Sequence, residues 1–128
     1  MNKGFSGPPN YSYIHPMAEK KYKTLKEFYP YYLTEHADPV CRVFHFIGTS
    51  GVFVLPIIAI VTQIWWLIAL IPVSGYGFAW AGHAIFERNK PATFTYPGFS
   101  LASDFIMYWH ILTGQINSRL RAAKATIQ

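Results

Sequence analysis

From residue 43 to residue 86 the chain has no Asp, Glu, Lys or Arg. A stretch that long without charge excludes an ordinary solvated surface and reads as membrane. Cysteine is nearly missing too: the single Cys41 excludes an internal disulfide and a cysteine-built zinc site. Acidic residues number six against eleven Lys and Arg, and charged residues make up 13% of the chain. A soluble domain carries about 25%. There is no glycine-rich phosphate loop. There is no nucleophile elbow either, since Thr49-Ser50-Gly51 lacks a strand–turn–helix setting. No stripe of interleaved basic and aromatic residues is present, which leaves nucleic acid out as a partner. The first forty residues have no apolar core, so no cleaved signal peptide is expected and the mature chain should start near Met1.

What remains is apolar and aromatic: 52% hydrophobic and 18% aromatic residues in 128. That length holds one domain. Residues 1–17, rich in Gly, Pro, Ser, Asn and Tyr, read as a flexible tail that includes His15. Residues 18–120 read as one helical membrane domain, and residues 121–128 as a basic tail. The expected class is all-α: a small helical membrane protein built on a transmembrane hairpin. An amphipathic helix over residues 24–36 precedes it, with Leu25, Phe28, Tyr29, Tyr32 and Leu33 at helical spacing. Pro30 should kink or restart that helix, and its aromatic face suits a membrane interface. Asp38 is a good N-cap and Pro39 a good first helical residue, so a first span is expected over residues 40–61. Thr62 and Gln63 make the turn, and residues 64–86 make the second span. A third apolar helix over residues 101–120, crossing or re-entrant, contains Asp104 and His110.

The hairpin returns its second span to the face where the first began. Both polar flanks there are basic, so the N-terminal part and the loop over residues 87–100 are expected on the cytoplasmic side. The same topology gathers His36, His45, His83 and Glu87 at one level. Alone, His36 reads as an exposed helix-end residue and His45 as bonded to a carbonyl. Together, with Arg42 between them, ligation and packing are evenly balanced. His83 and Glu87 are four apart and share a helix face. Glu87 suits either ligation or orientation of His83. His110 could add a ligand or a proton relay, although packing explains it alone. Asp104 should pair with Arg88, Lys90 or a histidine. Three or four imidazoles with a carboxylate suit Fe(II) and also zinc.

Phe28-Tyr29-x-x-Tyr32-Leu33-x-x-His36-x-x-Pro39-x-x-Arg42-x-x-His45-Phe46-x-Gly48-Thr49 resembles a known family. So do Gly82-His83-x-x-Phe86-Glu87-Arg88-Asn89-Lys90-Pro91-Ala92-Thr93-Phe94, then Tyr96-Pro97 and Ser100-Leu101-x-x-Asp104-Phe105-x-Met107. The resemblance is to the small integral-membrane proteins that include the fungal 2-hydroxy fatty acid dioxygenase of phytosphingosine breakdown, in its bacterial-type branch. It implies Fe(II)-dependent α-oxidation of a 2-hydroxy fatty acid to the acid one carbon shorter, with molecular oxygen as co-substrate. It implies metal ligands at His36, His45 and His83, with His110 or Glu87 as additions. Arg42, Glu87 and Asp104 are then the expected catalytic residues. Arg42, Arg88 and Lys90 are expected to bind the substrate carboxylate. The expected location is a bacterial inner membrane, or the endoplasmic reticulum in a eukaryote, with a homo-oligomer left open. Two other readings stand beside it: a haem- or quinone-associated electron-transfer protein, and a non-catalytic lipid-binding membrane module.

Overall fold

The computed structural model describes residues 21–127. The tail expected over residues 1–17, His15 included, lies outside the described residues. Among the described residues the structure is helical, with no strand.

Helix α1, Leu25–Thr34, opens on a reciprocal cap. Thr24 Oγ1 accepts from the Glu27 N–H at 3.2 Å, and Glu27 Oε2 accepts from the Lys23 N–H at 3.2 Å. The helix runs unbroken through Pro30. Its aromatic face does not lie on a membrane interface. Phe28, Tyr32 and Leu33 are buried in a core with Tyr96, Met107, Leu120 and Ala123. The amphipathic pattern was sound, but later helices cover the apolar side.

Helix α2, Pro39–Thr62, begins where the sequence suggested. Asp38 caps it, accepting from Val40 N at 2.8 Å and Cys41 N at 3.2 Å. Gln63, in the left-handed region at φ 61°, ends it and turns the chain back. Helix α3, Trp65–Glu87, is not uniform. It starts as a 3₁₀ helix and widens to π turns at Val73–Gly77 and His83–Glu87. Both α2 and α3 are long and apolar enough to cross a membrane, at 24 and 23 residues. Most of the apolar surface of the pair faces outward: Val43, Ile57, Val61 and Val73 are all more than half exposed.

Small residues let the two rods touch. A Cβ on Gly48 would meet the Ser74 carbonyl oxygen at 2.5 Å, and Ser74 Oγ donates to the Gly48 carbonyl at 3.0 Å. Nearer the polar end, a Cβ on Gly82 would meet Cys41 Sγ and Phe44 Cβ, each at 3.2 Å.

A loop with a short 3₁₀ turn at Ala92–Phe94 leads to α4, Pro97–Leu112. At 16 residues α4 spans about 24 Å, short of the ~30 Å hydrocarbon thickness. It leans on the first half of α2: Tyr108 stacks on Phe46 at 4.8 Å, and Phe105 meets Phe53 at 5.7 Å. The third helix therefore stops earlier than the sequence suggested. Gly114, at φ 73°, breaks it, and α5, Ile116–Ile127, folds back against α1. Arg121 and Lys124, expected in a tail, lie on α5.

Candidate metal centre

Three elements each deliver one imidazole to a single point. His36 sits in the turn between α1 and α2, and its N–H donates to the Leu33 carbonyl at 3.0 Å. His45 lies on the second turn of α2, and His83 starts the last π turn of α3. All three are buried. His36 Nε2 is 3.1 Å from His45 Nε2 and 2.9 Å from His83 Nε2. One ligand atom from each ring lies within 4.8 Å of the other two.

The far side of each ring is held by oxygen. His36 Nδ1 donates to the Tyr32 carbonyl at 2.6 Å. His83 Nδ1 meets Asn89 Oδ1 at 2.7 Å. The Asn89 orientation is fixed independently, because its Nδ2 donates to Glu35 Oε2 at 2.5 Å. His45 Nδ1 faces Asp104 Oδ1 at 3.5 Å. Asp104 also accepts from the Tyr32 hydroxyl. That phenol is held well above the ordinary tyrosine range, first by burial and then by the Asp104 charge, so it stays a donor.

These partners decide the tautomers. With a proton on Nδ1 of His36 and of His83, each Nε2 presents a lone pair, and the two lone pairs face each other at 2.9 Å. Neutral rings in that arrangement repel unless a cation lies between them. A proton is a poor candidate: burial, then the neighbouring His45 and His83, hold His36 well below the usual histidine value. A divalent metal ion fits. Two nitrogens bound at right angles with bonds of ~2.1 Å stand ~3.0 Å apart, against ~3.4 Å for a tetrahedral pair. Oxygen partners on the outer ring nitrogens are the usual support of metal-binding histidines. Ser100 adds to the fit. Its buried hydroxyl has no hydrogen-bond partner among the described residues, and it lines the narrow pocket, about 10 Å³ in volume, against the three imidazoles.

The remaining expected residues fall elsewhere. His110 is not among the converging rings. It lies six residues past Asp104 on α4, which turns it to another side of the helix, and its Nδ1 meets the Tyr29 hydroxyl at 2.6 Å. Glu87 accepts from the Asp38 N–H and so helps to start α2. Arg42 Nη1 donates to the His36 and Ala37 carbonyls at 2.7 and 2.9 Å, gripping the turn that carries His36. Arg88 and Lys90 are exposed on the loop after α3. Asp104 pairs with a histidine, His45, and not with Arg88 or Lys90. Sequence reasoning assigned no role to Tyr32, Asn89 or Ser100. The signal for Tyr32 is its place one turn before His36. No periodicity reaches Asn89, because Arg88 leaves the helix in the left-handed region at φ 54°.

The family described as "2-hydroxy-palmitic acid dioxygenase Mpo1-like" matches residues 22–116, most of the chain, and the chain belongs to that family. No curated protein and no solved structure matches it.

Proposed function

We propose that the chain is a membrane-embedded, Fe(II)-dependent dioxygenase that shortens a 2-hydroxy fatty acid by one carbon. The family description supports a 2-hydroxy fatty acid as substrate class. The observation that carries the metal is the facing pair of Nε2 lone pairs on His36 and His83, with His45 completing the set. His36, His45 and His83 would hold the iron. Bound there, Fe(II) supplies the one-electron chemistry that lets dioxygen react with a singlet organic acid. The reaction balances: one 2-hydroxy acid and one O₂ give the shorter acid, CO₂ and water.

The chain's own groups have separable tasks. Tyr32, Asn89 and Asp104 keep the outer ring nitrogens engaged, so that the inner ones remain unprotonated donors. Arg42 fixes the His36 turn through two carbonyls, so its task is positioning and not direct contact with the substrate carboxylate. Exposed Arg88 and Lys90, on the loop beside the imidazoles, draw that carboxylate in. Ser100 offers a hydroxyl to a polar substrate atom in the pocket. Two helices long and apolar enough to cross a membrane support a bilayer location, and the basic residues of the loop favour the cytoplasmic side for it.

A haem between two of these histidines is disfavoured, since nitrogens 2.9 and 3.1 Å apart leave no gap for a macrocycle. The test is anaerobic purification from membranes, metal analysis, and oxygen uptake with 2-hydroxypalmitic acid. Stoichiometric iron with matched CO₂ release is expected. A metal-free protein that consumes no oxygen after iron is supplied would end the reading.

A further inference from the structure

Tyr76 and Asp104 face two hollows at once. On one side is the narrow pocket against the imidazoles. On the other is an apolar groove of about 220 Å³ between α2, α3 and α4. Its walls are Thr49 and Val52 from α2, Ile71 and Gly75 from α3, and Leu101 and Phe105 from α4. Among the described residues lining it, Asp104 is the only charged one, and it stands at the border with the imidazole pocket. Val52 lies seven residues beyond His45 on the same helix, about 10 Å further toward the hairpin turn. The groove therefore leads away from the histidines toward the middle of the apolar rods.

A water-soluble metabolite would find almost nothing to bond there. A saturated chain would find walls of its own polarity, with a polar exit at one end where its head group must sit. Two of its walls approach closely: a Cβ on Gly75 would meet Val52 Cγ2 at 3.2 Å.

We propose that this groove seats the alkyl chain of the substrate, entered sideways from the bilayer, and that Val52 and Ile71 form its far wall and set the preferred chain length. The identity of the head group rests on the 2-hydroxy acid oxidation proposed above; the placement of the chain does not. A terminal wall discriminates by methylenes, at ~10-fold or more for each one that no longer fits.

Two experiments on the full chain in lipid nanodiscs test this. The first uses 2-hydroxypalmitic acid with a diazirine at its terminal carbon, irradiated and mapped by peptide mass spectrometry. Labelling at or beside Val52 and Ile71, abolished by excess unmodified acid, is expected. Competed labelling only on the outer faces, at Val43 or Ile57, overturns the proposal. The second compares turnover across a series of chain lengths for the wild type, Val52→Trp and Ile71→Trp. The optimum is expected to move to shorter acids by ~10-fold or more in relative kcat/KM, with bound iron unchanged. An unaltered profile in both variants sinks the groove while leaving the reaction intact. If no 2-hydroxy acid is turned over and competed labelling still falls in the groove, the groove stands and the reaction is what fails.

Discussion

His36 Nε2 lies 2.9 Å from His83 Nε2, although the turn before α2 and the end of α3 hold them far apart in the chain. Two neutral imidazoles do not settle there by packing alone. Replacing either by Ala is expected to remove bound metal and all turnover, and His45→Ala should do the same. Metal content after anaerobic purification checks it: an iron-replete His83→Ala protein would put the centre elsewhere.

Asn89 touches His83 on one side and Glu35 on the other. It is expected to act through the ring it steadies. Asn89→Ala should weaken metal affinity ~10–100-fold with the helical content retained. Competition against a chelator of known affinity reads this directly. An unchanged affinity would leave Asn89 only a structural tie.

His110 provides the contrast. Its ring is spent on Tyr29, away from the other three. His110→Gln is expected to keep full metal occupancy, at some loss of stability. Loss of the metal in that variant, with the fold intact by circular dichroism, would restore His110 as a ligand.

Acid should weaken the metal-free protein. Burial first, then His45 and His83, depress His36; burial, then Arg119, depresses His110. The unfolded chain, with histidine near ~6.5, binds more protons than the folded one below that pH. Stability is therefore full above about pH 6.5 and falls as the pH drops toward the lowered folded values. Tm measured in detergent between pH 7 and 5 should decline. A flat Tm would mean that these rings take up protons as readily in the folded state as in the unfolded one.

Gly82 sets the distance between α2 and α3 beside the imidazoles. Gly82→Leu should cost about 1–3 kcal/mol through overpacking against Cys41 and Phe44. Metal affinity should drop with it, because His83 is the next residue. Equal Tm and equal metal binding would show that the rods can part freely there.

Much of this architecture was legible from residues alone. The charge-free stretch marked the hairpin, Asp38-Pro39 marked the start of α2, and Gln63 marked its end. The hairpin then implied that His36, His45 and His83 meet. What escaped was local. Spacing of four put His83 and Glu87 on one face, yet Glu87 turns to the open N–H at Asp38, a partner that exists only once α1, α2 and α3 have assembled. Arg42 was read as a partner of the substrate carboxylate, whereas its guanidinium donates to the His36 and Ala37 carbonyls. The aromatic face of α1 looked fit for lipid because nothing in its own segment reveals that α5 folds back to cover it.

Two of the three nitrogen donors precede the hairpin turn, and the third follows it by some twenty positions. A nascent chain halted before residue 83 therefore carries an incomplete set of donors, however well its first apolar helix has formed. Under the proposed function, capture of the ion becomes the closing step of biogenesis, and metal loading reports that both apolar helices have been made. Ribosome-arrested chains of increasing length should show this as an abrupt gain of iron once His83 has cleared the exit tunnel, with no gradual rise before it.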